Sequence, residues 1–145
     1  MSTREELLRL DDEGTGAWNR HDVDGFLATL AEDFEWVDDA EPAPIHSREE
    51  ARRAMEAWFT AFPDMHIDVQ NRIVGEDAVA GEVRFTGTNS GPLALGGTTI
   101  PATGRRVDAA GTYFVRTRDG KVSEFHTHPD TFGMMMQLGL AGAAG

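Results

Sequence analysis

Between Val107 and His128 the chain carries two runs of alternating side chains joined at Asp119-Gly120. Asp-Gly between such runs is the strongest short hairpin signal, because a two-residue turn needs positive φ at both central positions. The chain is thereby committed to antiparallel pairing. A two-residue turn pairs Arg118 with Lys121, which sets Tyr113 opposite His126 and Val115 opposite Glu124. A slip of one residue would exchange the faces of every side chain beyond it.

The rest of the sheet is read upstream. Met65, Ile67 and Val69 alternate with His66, Asp68 and Gln70, and Val79, Val83, Phe85 and Asn89 share a face opposite Ala78, Ala80, Glu82, Arg84 and Thr86. Phe34 and Trp36 mark a short strand. Ser90 to Gly104, rich in Gly, Thr and Pro, reads as a loop, with Leu93 and Leu95 folding it back over something apolar.

Helices open the chain. Leu7, Leu10, Gly14, Ala17 and Trp18 recur at helical spacing from Thr3 to about Arg20, leaving the polar remainder to water. Asp22 caps a short second helix whose buried stripe is Phe26, Leu27 and Leu30. Ser47-Arg48-Glu49-Glu50 is a capping box for a third, with Ala51, Met55, Trp58, Phe59 and Phe62 inward. A last helix runs from Asp130 to about Leu138, and residues 139–145 form a fraying tail.

Nothing marks a second domain, so residues 1–145 form one α+β unit: three N-terminal helices on a curved antiparallel or mixed sheet, with a short C-terminal helix. A curved sheet closed on one side by helices makes a cone whose mouth admits a small molecule. The chain has no cysteine, which removes disulfides, thiolate nucleophiles and Cys-based metal sites. Thirteen basic against 25 acidic residues give a net charge of −12, unfavourable toward nucleic acid and anionic membranes. The first residues lack the apolar core of a signal peptide, so a soluble cytoplasmic protein is expected.

The runs Gly87-Thr88-Asn89-Ser90-Gly91, Ile100-Pro101-Ala102-Thr103-Gly104-Arg105-Arg106-Val107, Arg118-Asp119-Gly120-Lys121-Val122, Pro129-Asp130 and Gln137-Leu138-Gly139 carry a resemblance by their order and spacing. Together they resemble the SnoaL-like polyketide cyclase group of the NTF2-like superfamily. Ala17-Trp18-Asn19-Arg20-His21-Asp22 is similar to that superfamily's first-helix ending. The resemblance implies a cone-shaped pocket, no metal, no cofactor, and a homodimer joined through the outer face of the sheet. It also implies a carboxylate at the start of the last helix that closes a polyketide ester by intramolecular aldol chemistry. Asp130 occupies that place.

Burial in an apolar cone, with Leu93, Leu95 and Met134 as walls, would raise the pKa of Asp130 and make it a useful base; alternatively Asp130 only caps the last helix. His126 and His128 point to one face of a strand and would return the proton, or else form an exposed pair at a strand end. His-x-His also begins some metal sites, but further ligands would have to come from distant elements. Tyr113 is either an oxyanion donor or a packed strand residue, and Asn89 holds either a substrate oxygen or the loop. Trp36, beside the acidic loop Asp38-Asp39-Glu41, is placed at the mouth.

The expected function is cofactor-free acid/base catalysis on a small apolar, oxygenated carbonyl substrate, by aldol-type cyclisation or isomerisation. The alternatives are a non-catalytic small-molecule-binding domain, and an epoxide hydrolase or dehydratase using the same pocket. Epoxide opening needs a base held by an arginine and a further carboxylate, so Arg84 or Arg116 buried beside Asp130 would favour it.

Overall fold

In the computed structural model, which describes residues 3–95 and 97–140, Asp119 and Gly120 take φ of 53° and 77° and close the hairpin as its turn chemistry requires. The hairpin joins β6 (Arg106–Arg118) to β7 (Lys121–Pro129). Arg118 pairs with Lys121 and Thr117 with Val122, but the register then shifts by one, so that Arg116 faces Glu124. Ser123 is the extra residue of a β-bulge, and its hydroxyl donates to Arg116 O at 3.2 Å. Tyr113 therefore stands opposite Thr127 rather than His126, and Val115 opposite Phe125 rather than Glu124.

Upstream lie β1 (Leu30–Asp38), β2 (His66–Val74) and β3 (Ala78–Thr88), and the five strands form one sheet in the order β1-β7-β6-β3-β2. All pairs are antiparallel except β1 with β7, so the sheet is mixed. Helices α1 (Arg4–Asn19), α2 (Val23–Leu27) and α3 (Arg48–Ala61) precede α4 (Thr131–Gln137). Each starts on the side chain its sequence offers: Thr3, Asp22, Ser47 and Asp130 all accept a backbone N–H of the first turn. Leu30 opens β1 instead of extending α2, because α2 ends at Leu27.

Two apolar clusters fill the space between helices and sheet. Leu7, Phe26, Phe34, Trp36, Met55 and Val115 anchor one; Trp58, Phe62, Phe85, Leu93, Met134 and Leu138 anchor the other, and Trp18 and Phe59 pack against both. Asn19 ties α1 to the sheet edge by donating to Ile67 O at 2.9 Å and accepting from Ile67 N at 2.8 Å.

The segment expected as a loop contains a small hairpin, β4 (Leu93–Leu95) with β5 (Thr98–Ile100). Leu93 is fully buried beneath it. The approach to the end of α3 is close: a Cβ on Gly91 would stand 2.1 Å from Thr60 O. At the other end Gly139, at φ 80°, closes α4 by donating to Met136 O, while Leu140 N donates to Met135 O. These two residues are tied down, and the remainder of the expected tail, residues 141–145, lies outside the described residues.

Asn89 fastens the β4–β5 segment. Its amide donates to Gly91 O at 2.8 Å and its carbonyl accepts from Thr103 N and Thr103 Oγ1 at 2.9 and 2.8 Å. With no exposure and every group engaged, it holds the loop and not a ligand oxygen. Asn89→Ala leaves buried partners unsatisfied, and a urea titration should show a loss of about 1–3 kcal/mol. Stability equal to wild type would contradict this role.

Candidate active site

The bulge at Ser123 decides what faces the interior of the cone. Beyond it Phe125 and Thr127 line the cavity, and His126 and His128 turn to the outer face of the sheet. The two imidazoles do share a face, 6.5 Å apart between ring centroids, but it is the wrong face for a proton partner inside the cone. His128 Nδ1 lies 2.9 Å from Asp39 Oδ1, and His126 packs against Phe114. Among the described residues no group of three or more His, Asp and Glu side chains is placed to hold a metal ion.

The cavity measures about 150 Å³ and is partly open to solvent. Its wall is almost wholly apolar, with Trp18, Phe26, Trp58, Phe85, Phe125 and Met134 prominent. Met134 lies in the wall. Leu93 is buried against Trp58 and Met134 and does not line the cavity; the side chain of Leu95 lies outside what is described. Trp36 is also no part of the mouth. It is 1 % exposed and lies behind the cavity wall, packed on Trp18, Phe26 and Phe125 and donating to Thr127.

Asp130 stands at the rim, exposed, with Oδ1 accepting Gly133 N at 2.9 Å. It lacks the burial that the reading of Asp130 as base required, because β7 ends before it and its carboxylate is turned toward the first turn of α4. The pocket's buried carboxylates come from elsewhere. Asp11 and Asp38 both line the cavity, at 7 % and 8 % exposure.

Asp38 ends β1. The alternation Phe34, Trp36, Asp38 carries it inward, so the acidic loop begins one residue later than its composition suggests. Asp38 Oδ1 accepts Ala40 N and Oδ2 accepts Thr127 Oγ1, each at 2.7 Å, while Trp36 Nε1 donates to Thr127 Oγ1 at 3.2 Å. Burial raises its pKa, against the lowering effect of those hydrogen bonds. Among the described residues no cationic side chain forms an ion pair with it; His128, the nearest influence of that sign, is engaged by Asp39.

Asp11 lies on the buried stripe of α1, at helical spacing between Leu7 and Gly14, so not all of that helix's polar residues face water. Tyr113 Oη donates to its Oδ2 at 2.6 Å, and Arg72 Nη1 stands 3.2 Å from Asp11 Oδ2 and 2.6 Å from Asp12 Oδ1. Burial raises the pKa of Asp11, with the Tyr113 and Arg72 contacts pulling the other way; burial and the adjacent carboxylate push the Tyr113 phenol up.

These groups share a row. Arg72, Gly81, Tyr113, Thr127 and Asp38 are successive cross-strand partners through all five strands. Gly81 is required in it, since a Cβ there would lie 2.5 Å from the Tyr113 ring, which bends across the glycine to meet Asp11. Arg84 and Arg116 take no part: both are half-exposed, paired with Asp108 and with Asp77 and Glu124.

The raised carboxylates carry a sign. A buried acid whose folded pKa lies above its unfolded value, near 3.8, contributes stability that is complete below that value and is lost as pH climbs through the folded pKa. Asp38→Asn removes this dependence. The difference in urea midpoint between the variant and wild type should therefore move in the variant's favour as pH rises from about 3.8 to neutrality; a constant difference would show that folding does not shift Asp38, and an opposite one that its hydrogen bonds outweigh its burial.

The sequence model of the SnoaL-like polyketide cyclase family matches residues 11–138. AclR of Streptomyces galilaeus, a proposed hydroxylase, superposes with TM-score 0.82 at 26 % identity over 99 % of this chain and 87 % of its own. A proposed SnoaL-like polyketide cyclase from Jannaschia sp. CCS1 gives 0.78 at 28 %, over 94 % and 90 % of the two chains. IdmH of Streptomyces antibioticus, a proposed polyketide cyclase, gives 0.76 at 27 %, over 92 % and 98 %. A search of curated proteins found no match. The match spans both buried carboxylates and the whole sheet, and the chain belongs to the SnoaL-like polyketide cyclase family.

Proposed function

We propose that the protein is a cofactor-free acid/base enzyme that enolises a small, mainly apolar carbonyl compound, leading to aldol-type ring closure or isomerisation, with Asp38 as the base. One observation carries the assignment: Asp38 is the cavity carboxylate that is both buried and, among the described residues, without a cationic partner. A cation beside a carboxylate lowers its basicity, whereas burial raises it, and proton transfer by a matched base contributes about 10²–10⁴ in rate.

In the proposed reaction an Asp38 oxygen takes the proton from the carbon next to the carbonyl, and the C–H electron pair moves to the carbonyl oxygen. The enolate carbon then bonds to a second carbonyl of the same molecule, whose oxygen takes the proton back. Thr127 steadies Asp38. Tyr113, next on the same row, answers the developing oxyanion: when Asp11 holds a proton, the phenol no longer donates to it and its hydrogen turns to the substrate. A cavity of about 150 Å³, the size of one that admits benzene, takes a single ring, and anything larger extends through the mouth.

The same reading takes the protein as a cytoplasmic homodimer joined across the outer face of the sheet. No helix among the described residues is long and apolar enough to cross a membrane.

A second reading has its own support. Arg72 bridging Asp11 and Asp12 supplies a carboxylate held by an arginine with a further carboxylate beside it, the set that epoxide hydration needs, at a different place from the one expected. There Asp11 would direct a water at the epoxide carbon.

Deuterium uptake at the α-carbon of small cyclic ketones, followed by NMR in heavy water, tests the principal reading. Wild type should accelerate exchange; Asp38→Asn should lose about 10²–10⁴ of that acceleration, and Asp130→Asn should retain most of it. Loss confined to Asp130→Asn would return the base to the rim. Hydration of an epoxide panel that depends on Asp11 and not on Asp38 would select the second reading.

A further inference from the structure

We propose that this cavity also accepts a cation of one chemical kind, a small alkylated ammonium group, with Asp38 as its counter-charge and the surrounding aromatic rings as its wall. The inference rests on the reading that Asp38 is ionised inside the cavity, but it requires no turnover.

The chemistry of the lining selects the guest. Asp38 presents a carboxylate that already holds Ala40 N and Thr127 Oγ1, Asp11 is taken up by Tyr113 and Arg72, and the rest of the wall is almost wholly apolar. A hard metal ion needs six or more oxygen ligands, or keeps its waters, and finds neither here. A primary ammonium brings three N–H groups that each need an acceptor. A tertiary or quaternary ammonium brings one or none, and its charge is spread over methyl groups that pack against rings. Aromatic faces attract such cations through their quadrupoles, and more strongly where water is excluded.

The rings are placed for this. Phe125 lies two residues from Thr127 on the cavity side of β7, so it stands one step along the strand from the Asp38–Thr127 pair. Phe26 packs on Phe125 at 5.5 Å between centroids, and Trp18 packs edge-on to Phe26 at 5.6 Å. Tyr113 is the cross-strand neighbour of Thr127 on the other side. Carboxylate and rings thus surround one space, and a trimethylammonium head is no larger than the benzene ring that a cavity of this volume admits. The chain's net charge of −12 raises the local concentration of any cation.

The test compares choline with its uncharged isostere, in which a quaternary carbon replaces the nitrogen, by calorimetry at about 0.15 M salt to screen the acidic surface. Wild type should bind choline at least about tenfold more tightly than the isostere. Asp38→Asn should bring the two affinities together. Phe125→Leu, which leaves the carboxylate in place, should reduce the preference in part and serves as the arbiter if the Asn variant does not fold. Equal affinities in wild type, no binding of either compound, or a choline preference that survives in folded Asp38→Asn would each overturn the proposal, the last by locating the cation on the acidic surface. Failure here with ketone exchange still dependent on Asp38 removes the ammonium site and leaves the enzyme; the converse result removes the enzyme and leaves the site.

Discussion

A strand places its side chains on alternate faces, and in this sheet that rule acts through one inserted residue. Ser123 shifts the β6–β7 register by a single position, and each side chain of β7 beyond it exchanges faces. Without the bulge the cone would hold His126 and His128 and expose Phe125 and Thr127. With it, the interior gains an aromatic wall and the hydroxyl that supports Asp38, while on the outer face His128 meets Asp39 and His126 packs on Phe114. The character of the cavity, apolar with acidic groups instead of lined by imidazoles, follows from that insertion.

The two interior carboxylates are held in different ways. Asp11 is held by Arg72 and by the Tyr113 hydroxyl, whose contacts work against the effect of its burial, and it joins α1 to the sheet. Asp38 has hydrogen bonds but no ion-pair partner among the described residues, which leaves it costly to keep ionised. Sites that work on protons are commonly built this way, with neighbouring acids pushed toward different tasks by their surroundings.

The fold was legible because it depends on strong local signals. The Asp-Gly turn, the Ser47 and Asp22 caps and the period-two runs each name their element, and the motifs that carry the family resemblance are mostly turns and strand ends. The site was harder because it depends on parity and on partners brought from afar. Phe125 follows Val122 at an odd spacing, a sign that the alternation breaks between them; both are apolar and both lie on the inner face. Asp38 continues the buried alternation of Phe34 and Trp36, yet its acidic neighbours make it read as loop. Asp11 sits at helical spacing on the stripe of Leu7 and Gly14, where an aspartate is easily taken for solvent-facing. Nothing local in the sequence announces Arg72, whose role appears only when β2 is laid beside α1.

The parallel pairing of β1 with β7 has a further meaning for how the molecule assembles. Asp38 and Thr127 are 89 positions apart in the chain, whereas the strands of the Asp-Gly hairpin are neighbours. Local hairpins close in microseconds, while contacts across long loops wait for a larger loss of chain entropy. β1 is therefore expected to dock after the β6–β7 hairpin has closed. The Asp38–Thr127 contact is then among the last to be completed, and fluctuations that release this edge open the cavity wall while leaving most of the sheet intact.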